Sequence, residues 1–225
     1  MKGSAAKLVT LSDPQGPTAE AYRTLRTNIH FSTQQSPLRS LLVTSAGPDE
    51  GKSMTLCNLA VTFAQAGTKL IVVDSNLRHP SIHEVFDLAN DKGLATALLD
   101  EQPRELPLQP TMVPNLQVLT SGPLPPNPTD LLASRRMRQL IESLVASAEL
   151  VLFDSPPVAL VADAAILAHM LDGVILVISA GRTRRDMAIR AKSILEKASA
   201  RVLGVVLNNA EQDANLDRYF GIRTR

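Results

Sequence analysis

Six short apolar runs are spaced along the chain, each rich in leucine and β-branched residues. The runs are continuous and do not alternate between apolar and polar positions, which is typical of strands covered on both faces. We therefore predict six buried β-strands, over Leu41–Thr44, Leu70–Val73, Leu116–Thr120, Leu150–Phe153, Val174–Ile178 and Val202–Leu207.

Helical patterns lie between most of these runs and ahead of the first one. The predicted helices cover Thr18–Thr33, Lys52–Gln65, Thr129–Ala146, Val161–Met170 and Thr183–Ala198. Strands that alternate with helices indicate an α/β fold with a mainly parallel β-sheet flanked by helices on both faces. We predict a single domain over residues 1–225, with a flexible N-terminal segment over residues 1–17 and a C-terminal tail over residues 213–225.

Composition narrows the class of protein. The 225 residues are 44% hydrophobic and 20% charged, enough for a sizeable core, and the net charge of +1 gives no general attraction to nucleic acid. A single cysteine excludes an intramolecular disulfide framework and suits a reducing compartment. The apolar runs fall far short of the roughly 18 residues that span a bilayer. These features predict a cytoplasmic globular protein without a nucleic-acid partner.

The most informative stretch follows the first predicted strand and reads Leu41-Leu-Val-Thr-Ser-Ala-Gly-Pro-Asp-Glu-Gly-Lys-Ser53. A strand, a Gly/Pro loop and then Gly-Lys-Ser at the start of a helix is the context of a phosphate-binding loop. Backbone N–H groups and the helix dipole would attract phosphates, Lys52 would add a positive charge, and the Ser53 hydroxyl suits Mg²⁺. The predicted nucleotide-binding residues are Gly47, Pro48, Asp49, Glu50, Gly51, Lys52, Ser53 and Met54.

Two aspartates follow strand ends, where a ligand of such a sheet would bind. Asp74 ends the second predicted strand and Asp154 the fourth. A single aspartate at a strand end is more often a cap or turn former, but two of them beside a phosphate loop favour a Mg²⁺ site. Ser53, Asp74 and Asp154 are therefore the predicted metal-binding residues. Asn208 and Asn209 follow the last strand, where only their position suggests contact with a nucleotide base.

Several motifs together resemble the cytoplasmic kinase domain of bacterial protein-tyrosine kinases of capsule and exopolysaccharide production. The matching segments are Glu20-Ala-Tyr-Arg-Thr-Leu-Arg-Thr-Asn28, Ser45-Ala-Gly-Pro-Asp-Glu-Gly-Lys-Ser53, Val72-Val-Asp-Ser-Asn-Leu-Arg-His-Pro80, Phe153-Asp-Ser-Pro-Pro157 and Asp172-Gly-Val-Ile-Leu-Val177. The resemblance implies a P-loop fold of the MinD-like group, ATP and Mg²⁺ as cofactors, and tyrosine phosphorylation regulating polysaccharide polymerisation and export. It implies Lys52, Asp74 and Asp154 as catalytic residues.

The resemblance also implies partners. Spacing alone makes Glu20, Arg23 and Arg26 a solvated, salt-bridged helix face. In the family the matching motif packs subunits of a ring together, which favours an oligomer interface. Family members without a membrane segment work with a transmembrane chain-length regulator whose cytoplasmic tail activates them, so we expect recruitment to the inner face of the membrane.

Two departures from the family pattern bear on activity. Asn76 stands where the family has a second aspartate, and its missing charge predicts weaker Mg²⁺ dependence or slower chemistry. The tail carries only Tyr219 in place of a tyrosine cluster, and this residue is either the phosphoacceptor or a packing residue. A catalytically weakened ATP-binding regulator is the main alternative. A MinD-like positioning ATPase is disfavoured by Gly47, which stands where that group has a signature lysine.

Overall fold

The computed structural model describes residues 8–34, 36–100 and 105–211. The helices in these residues are α1 (Val9–Ser12), α2 (Pro17–Ser32), α3 (Lys52–Gln65), α4 (Ile82–Phe86), α5 (Leu94–Leu99), α6 (Pro128–Ala133), α7 (Arg135–Ser147), α8 (Asp163–Met170) and α9 (Arg185–Lys197). The strands are β1 (Ser40–Ser45), β2 (Leu70–Asp74), β3 (Gln109–Pro110), β4 (Leu116–Leu119), β5 (Leu150–Asp154), β6 (Gly173–Ser179) and β7 (Val202–Asn208).

One seven-stranded sheet forms the centre of the molecule, in the order β3-β4-β2-β5-β1-β6-β7. Every neighbouring pair is parallel except β3 with β4. The predicted α/β fold with a mainly parallel sheet is confirmed, and each of the six predicted strands is present.

The sheet separates two hydrophobic clusters. Leu42 of β1 faces the cluster formed with α5 to α9, whereas its neighbours Leu41 and Val43 face the cluster formed with α1 to α4. Because alternate side chains of a strand point to opposite faces, a strand covered on both sides needs apolar residues at every position. This two-sided burial explains why the apolar runs in the sequence are continuous.

The predicted helix Thr129–Ala146 is in fact two helices, α6 and α7. The break lies at Ser134, whose ψ of 157° is extended and ends the first helix. Its side-chain oxygen accepts a hydrogen bond from the Met137 N–H at 3.2 Å and so caps the second helix.

The prediction of a flexible segment over residues 1–17 is wrong for the part that the structure describes. Leu8 is buried in the cluster beneath α2 and α3, and α1 follows it directly. Thr10 donates its backbone N–H and its hydroxyl to Asn58 Oδ1 of α3, at 3.1 and 2.9 Å. One apolar anchor and one buried polar contact therefore fix the start of the described chain on the domain.

The strand order brings the carboxyl ends of three strands together. β5 lies between β1 and β2, and the register pairs Asp154 of β5 with Asp74 of β2 and with Val43 of β1. The loop after β1 therefore lies beside the two strand-end aspartates. Within the described residues, no helix is long and apolar enough to cross a membrane.

The docking of α1 can be tested by Thr10→Val, which removes the hydroxyl but preserves the shape of the side chain. Loss of one buried hydrogen bond should lower the free energy of unfolding by about 1 kcal/mol, measured by urea denaturation. Thr27→Val is the matched control, because within the described residues the Thr27 hydroxyl bonds only to Arg23 O, on an exposed helix face. Equal stabilities of the two variants would contradict the docking.

Candidate active site

The loop between β1 and α3 forms one wall of a cleft of about 320 Å³. Gly51 precedes the first residue of α3 with φ 85° and ψ 18°, a left-handed conformation that favours glycine. The helix therefore begins at Lys52 with its N-terminal backbone N–H groups at the cleft, where its dipole favours an anion. The described residues lining the cleft are Pro48, Asp49, Glu50, Gly51, Lys52, Ser53, Met54, Asn76, His79, Ser81, Pro156 and Pro157.

Seven of the eight predicted nucleotide-binding residues thus line one cleft. The eighth, Gly47, is buried, and its N–H donates to Glu50 Oε2 at 2.9 Å. Gly47 therefore belongs to the internal bonding of the loop and not to the lining of the cleft.

Lys52, Ser53 and Asp154 form a compact polar group at the base of the cleft. The Ser53 hydroxyl donates to Asp154 Oδ2 at 2.7 Å, and Lys52 Nζ lies 3.1 Å from Ser53 Oγ and 4.0 Å from Asp154 Oδ2. The structure therefore brings the predicted cation, hydroxyl and carboxylate together, although Asp154 is 101 residues from Ser53 in the chain.

The donor set fits a divalent cation. Asp154 Oδ1 is buried and has no hydrogen-bond partner among the residues the structure describes. An unpaired buried carboxylate oxygen is costly unless another group satisfies it. Magnesium prefers oxygen ligands and is commonly held by one or two carboxylates together with substrate phosphates. Asp154 and the Ser53 hydroxyl offer this chemistry.

Asp74 is placed differently from Asp154. Its Oδ2 accepts the N–H groups of Ser81 and Ile82, both at 3.0 Å, and its Oδ1 accepts the Asn76 N–H at 3.3 Å. Like Asp154, it is fully buried and is not among the described residues that line the cleft. Asp74 thus ties the loop after β2 to the start of α4, so in this structure its contacts are those of an organising residue.

Burial shifts the acidity of both carboxyls. It raises the pKa of Asp74 to about 7, with a further increase from the neighbouring Asp154 charge, against the lowering effect of three backbone N–H groups. The pKa of Asp154 is also raised by burial, while Lys52 and the hydrogen bond from Ser53 act in the opposite direction. Asp74 is therefore close to losing or gaining a proton at neutral pH.

Asn76 lies in the wall of the cleft but has a structural task there. Its Nδ2 donates to His79 O at 2.8 Å, and its Oδ1 accepts the His79 N–H at 3.3 Å. An aspartate has no N–H with which to make the first of these bonds. The amide therefore closes the turn after β2, which gives a physical reason for its presence where the related motif has a second carboxylate.

An ion pair and its hydrogen bonds join the loop after β2 to the first turns of α6 and α8. Arg78 donates Nε and Nη2 to the two oxygens of the buried Asp163, at 2.8 and 3.2 Å, and Nη2 also donates to Thr129 Oγ1 at 2.8 Å. The hydrogen bond to Asp163 raises the pKa of Arg78. The sequence motif Val72–Pro80 contains Arg78, whereas no local signal indicates Thr129, which enters through the position of α6.

Asn208 and Asn209 are engaged within the protein. Asn208 Nδ2 donates to the Glu50 carbonyl at 3.0 Å and lies against Gly51, and Asn209 Nδ2 donates to Ser179 Oγ at 2.9 Å. Both amide nitrogens therefore connect loops at the strand ends, and contact of either residue with a base stays a prediction.

The predicted interface residues of α2, Glu20, Arg23 and Arg26, make part of their contacts within this chain. Arg23 forms an ion pair with Glu20 and donates to Pro14 O, whereas Arg26 donates to Thr62 O of α3 at 2.7 Å. The Glu20 and Arg23 side chains keep 48% and 33% of their surface exposed. Tyr219 lies outside the described residues.

The fold and the loop geometry define a P-loop nucleotide-binding protein. The profile of the ParA family, described as NUBPL iron-transfer P-loop NTPase, matches residues 38–215. Tyrosine-protein kinase YwqD of Bacillus subtilis is 41% identical over 217 residues, which cover 96% of this chain and 92% of that protein. Putative tyrosine-protein kinase CapB of Staphylococcus aureus is 36% identical over 97% of this chain and 96% of its own length.

A solved structure supports the same assignment. The crystal structure of the chimerical protein CapA2B2 superposes with a TM-score of 0.88 at 36% identity, covering 92% of this chain and 91% of that one. The chain belongs to the family of bacterial tyrosine-protein kinases.

The requirement for glycine at the loop can be tested by Gly51→Ala. A Cβ there would overlap the side-chain nitrogen of Asn208 and would also sit on a left-handed backbone. We expect loss of ADP binding, measured with a fluorescent ADP analogue. Gly67→Ala is the control, because Gly67 has φ 95° but no atom of the described part of the chain lies within 4 Å of an added Cβ. If both variants bind ADP equally, the overlap at Gly51 does not shape the loop.

The raised pKa values predict a pH dependence of stability in metal-free protein. The folded state holds a proton on Asp74 up to about pH 7, whereas the unfolded chain releases it near pH 4. The free energy of unfolding should therefore fall as the pH rises from 4 to 7, by about 4 kcal/mol at most from this group.

Urea unfolding between pH 5 and 8, with a chelator present, measures the effect. Asp154→Asn removes the charge next to Asp74 and also the titration of Asp154, whose own pKa is raised, and both changes should make the slope shallower. Parallel curves for the two proteins would contradict the raised pKa values of this pair.

Proposed function

We propose that this protein is an ATP-dependent protein-tyrosine kinase that phosphorylates itself and regulates capsular or exopolysaccharide polymerisation and export. The observation that carries the proposal is the group formed by Lys52, Ser53 and Asp154 at the N-terminus of α3. The membership of this protein in the family of bacterial tyrosine-protein kinases supports tyrosine as the acceptor of the phosphoryl group.

The residues of the cleft suit transfer of the γ-phosphoryl group. In that reaction the bond between the γ-phosphorus of ATP and the oxygen that bridges the β- and γ-phosphates breaks, and this oxygen stays with ADP. A bond from phosphorus to the tyrosine oxygen forms, and the hydroxyl proton leaves. Backbone N–H groups at the start of α3 and the Lys52 ammonium would bind the phosphates and offset their charge. Ser53 and Asp154 would hold Mg²⁺, which when bound neutralises charge on the transferred group.

Asp74 is the proposed proton acceptor. A pKa of about 7 matches a general base that works near neutral pH. Its backbone contacts argue for a second contribution, because they hold the loop that carries Asn76 against the cleft. A base role requires the substrate hydroxyl to reach one of its two oxygens.

The proposed assembly uses α2 and a membrane partner. Glu20 and Arg23 remain partly exposed and so are available to a neighbouring subunit, while Arg26 ties the same helix to α3. We propose a homo-oligomer, with a ring as one candidate arrangement of its subunits. A transmembrane chain-length regulator recruits this oligomer to the inner face of the membrane and activates it. The proposal of a regulator rests on the family resemblance of the sequence.

A weakened ATP-binding regulator is the second candidate, and Asn76 is the observation that favours it. An amide in the cleft wall supplies no negative charge for Mg²⁺. The intact Lys52, Ser53 and Asp154 group and the named relatives favour the kinase.

Incubation of the purified protein with Mg·ATP tests the proposal directly. The intact mass should increase by one phosphoryl group, and mapping should place it on Tyr219. Lys52→Met should abolish the increase in mass, because it removes the positive charge that the Lys52 side chain holds beside Asp154 at the phosphate loop. Lys69→Met is the matched control, since Lys69 is exposed and lies outside the cleft.

An unchanged mass in protein that still binds ATP, even with a membrane-partner tail peptide added, would reject the autokinase in favour of the regulator. Phosphorylation that survives in Lys52→Met would instead show that the phosphate site is assigned wrongly.

A further inference from the structure

Glu50 is an unexpected residue for a phosphate-binding loop. Its carboxylate carries the same charge sign as the phosphates, and only 5% of the residue is exposed. Both of its oxygens are bonded inside the protein, with Oε2 accepting from the Gly47 N–H at 2.9 Å and Oε1 from the Thr183 hydroxyl at 2.5 Å. Both carboxylate oxygens are thus engaged by donors of the protein, although Glu50 is among the residues that line the cleft.

Thr183 is held so that its hydroxyl proton is directed to Glu50. It lies in the loop between β6 and α9, where its backbone N–H donates to Ser179 O at 2.9 Å. Its Oγ1 accepts the Ser179 N–H at 2.7 Å. Because a hydroxyl has one proton, accepting from Ser179 leaves that proton for Glu50.

Asn208 holds the backbone of the same glutamate. Its Nδ2 donates to the Glu50 carbonyl, and its own carbonyl accepts the Ala180 N–H at 2.8 Å. The ends of β6 and β7 are therefore joined to each other and to the phosphate loop. Glu50 is fixed by donors from three places in the chain.

We propose that Thr183 is a positioning residue for nucleotide binding, which acts through Glu50 to hold the phosphate loop in its anion-binding form before ATP arrives. Without the hydroxyl, the buried carboxylate loses a charge-assisted hydrogen bond. Turning toward the cleft then lowers its free energy. There it repels the phosphates and displaces the loop. The inference rests on the proposed function, since it assigns a determinant of ATP affinity at the same site.

Thr183→Val tests this, because it keeps the shape and removes the hydroxyl. We expect the affinity for ADP and ATP to fall about tenfold or more, the usual weight of a hydrogen bond to a charged group. The KM for ATP should rise with kcat at saturating ATP close to that of the wild type. Thr183→Ser retains the hydroxyl and should restore the affinity to within about twofold.

A double-mutant cycle separates positioning from general stability. In a Glu50→Gln background, Thr183→Val should have a much smaller effect on ADP affinity, because no charge is left to turn toward the phosphates. Unfolding in urea identifies any variant whose affinity falls only because it is partly unfolded.

Wild-type affinity in Thr183→Val, an equal loss in the Glu50→Gln background, or a fall in kcat with unchanged affinity would each overturn the proposal. Binding of a fluorescent ADP analogue involves no phosphoryl transfer. A protein without kinase activity would therefore fail the phosphorylation test and could still pass this one.

Discussion

The burial of the Asp154 carboxylate is the constraint on which the site depends. The residue is fully buried, and a charge removed from water is tolerated only where partners compensate it. Here the Ser53 hydroxyl and the Lys52 ammonium lie on one side, while Oδ1 stays without a partner among the described residues. Without a ligand, the buried charge of Asp154 is therefore only partly compensated. A cation bound together with phosphates would complete the compensation.

The surroundings of the cleft serve to keep that arrangement fixed. On the β2 side, Asp74 and Asn76 order the turn after the strand, and Arg78 joins it to Asp163. On the β6 side, Thr183 and Asn208 hold the phosphate loop through Glu50. The cleft is thus supported from both flanks by polar contacts between loops, as expected of a site that must keep its geometry in the absence of substrate.

Much of the fold and of the candidate site could be predicted from the sequence, because the signals for them lie within short segments of the chain. A strand buried on both faces produces an apolar run, and the predicted bounds of Lys52–Gln65 agree with the observed α3 because the Gly-Lys-Ser signal marks its start. The break at Ser134 has no signal in the sequence, because the apolar periodicity continues across it. The partners of Glu50 could not be foreseen, since Thr183 is 133 residues away and reaches it only through the order of the strands. Thr129 meets Arg78 for the same reason.

The place of β5 between β1 and β2 has a consequence for biosynthesis. When a ribosome has made only β1 and β2, the strand that must separate them does not yet exist, so neither can pair as it does in the finished sheet. Contacts between segments so distant in sequence also form slowly. The phosphate loop waits still longer for Thr183 and Asn208, which follow near the end of the described chain. A nascent chain would thus gain its nucleotide site late. Until then, the apolar surfaces of its central strands must be buried temporarily by other contacts if the chain is not to aggregate.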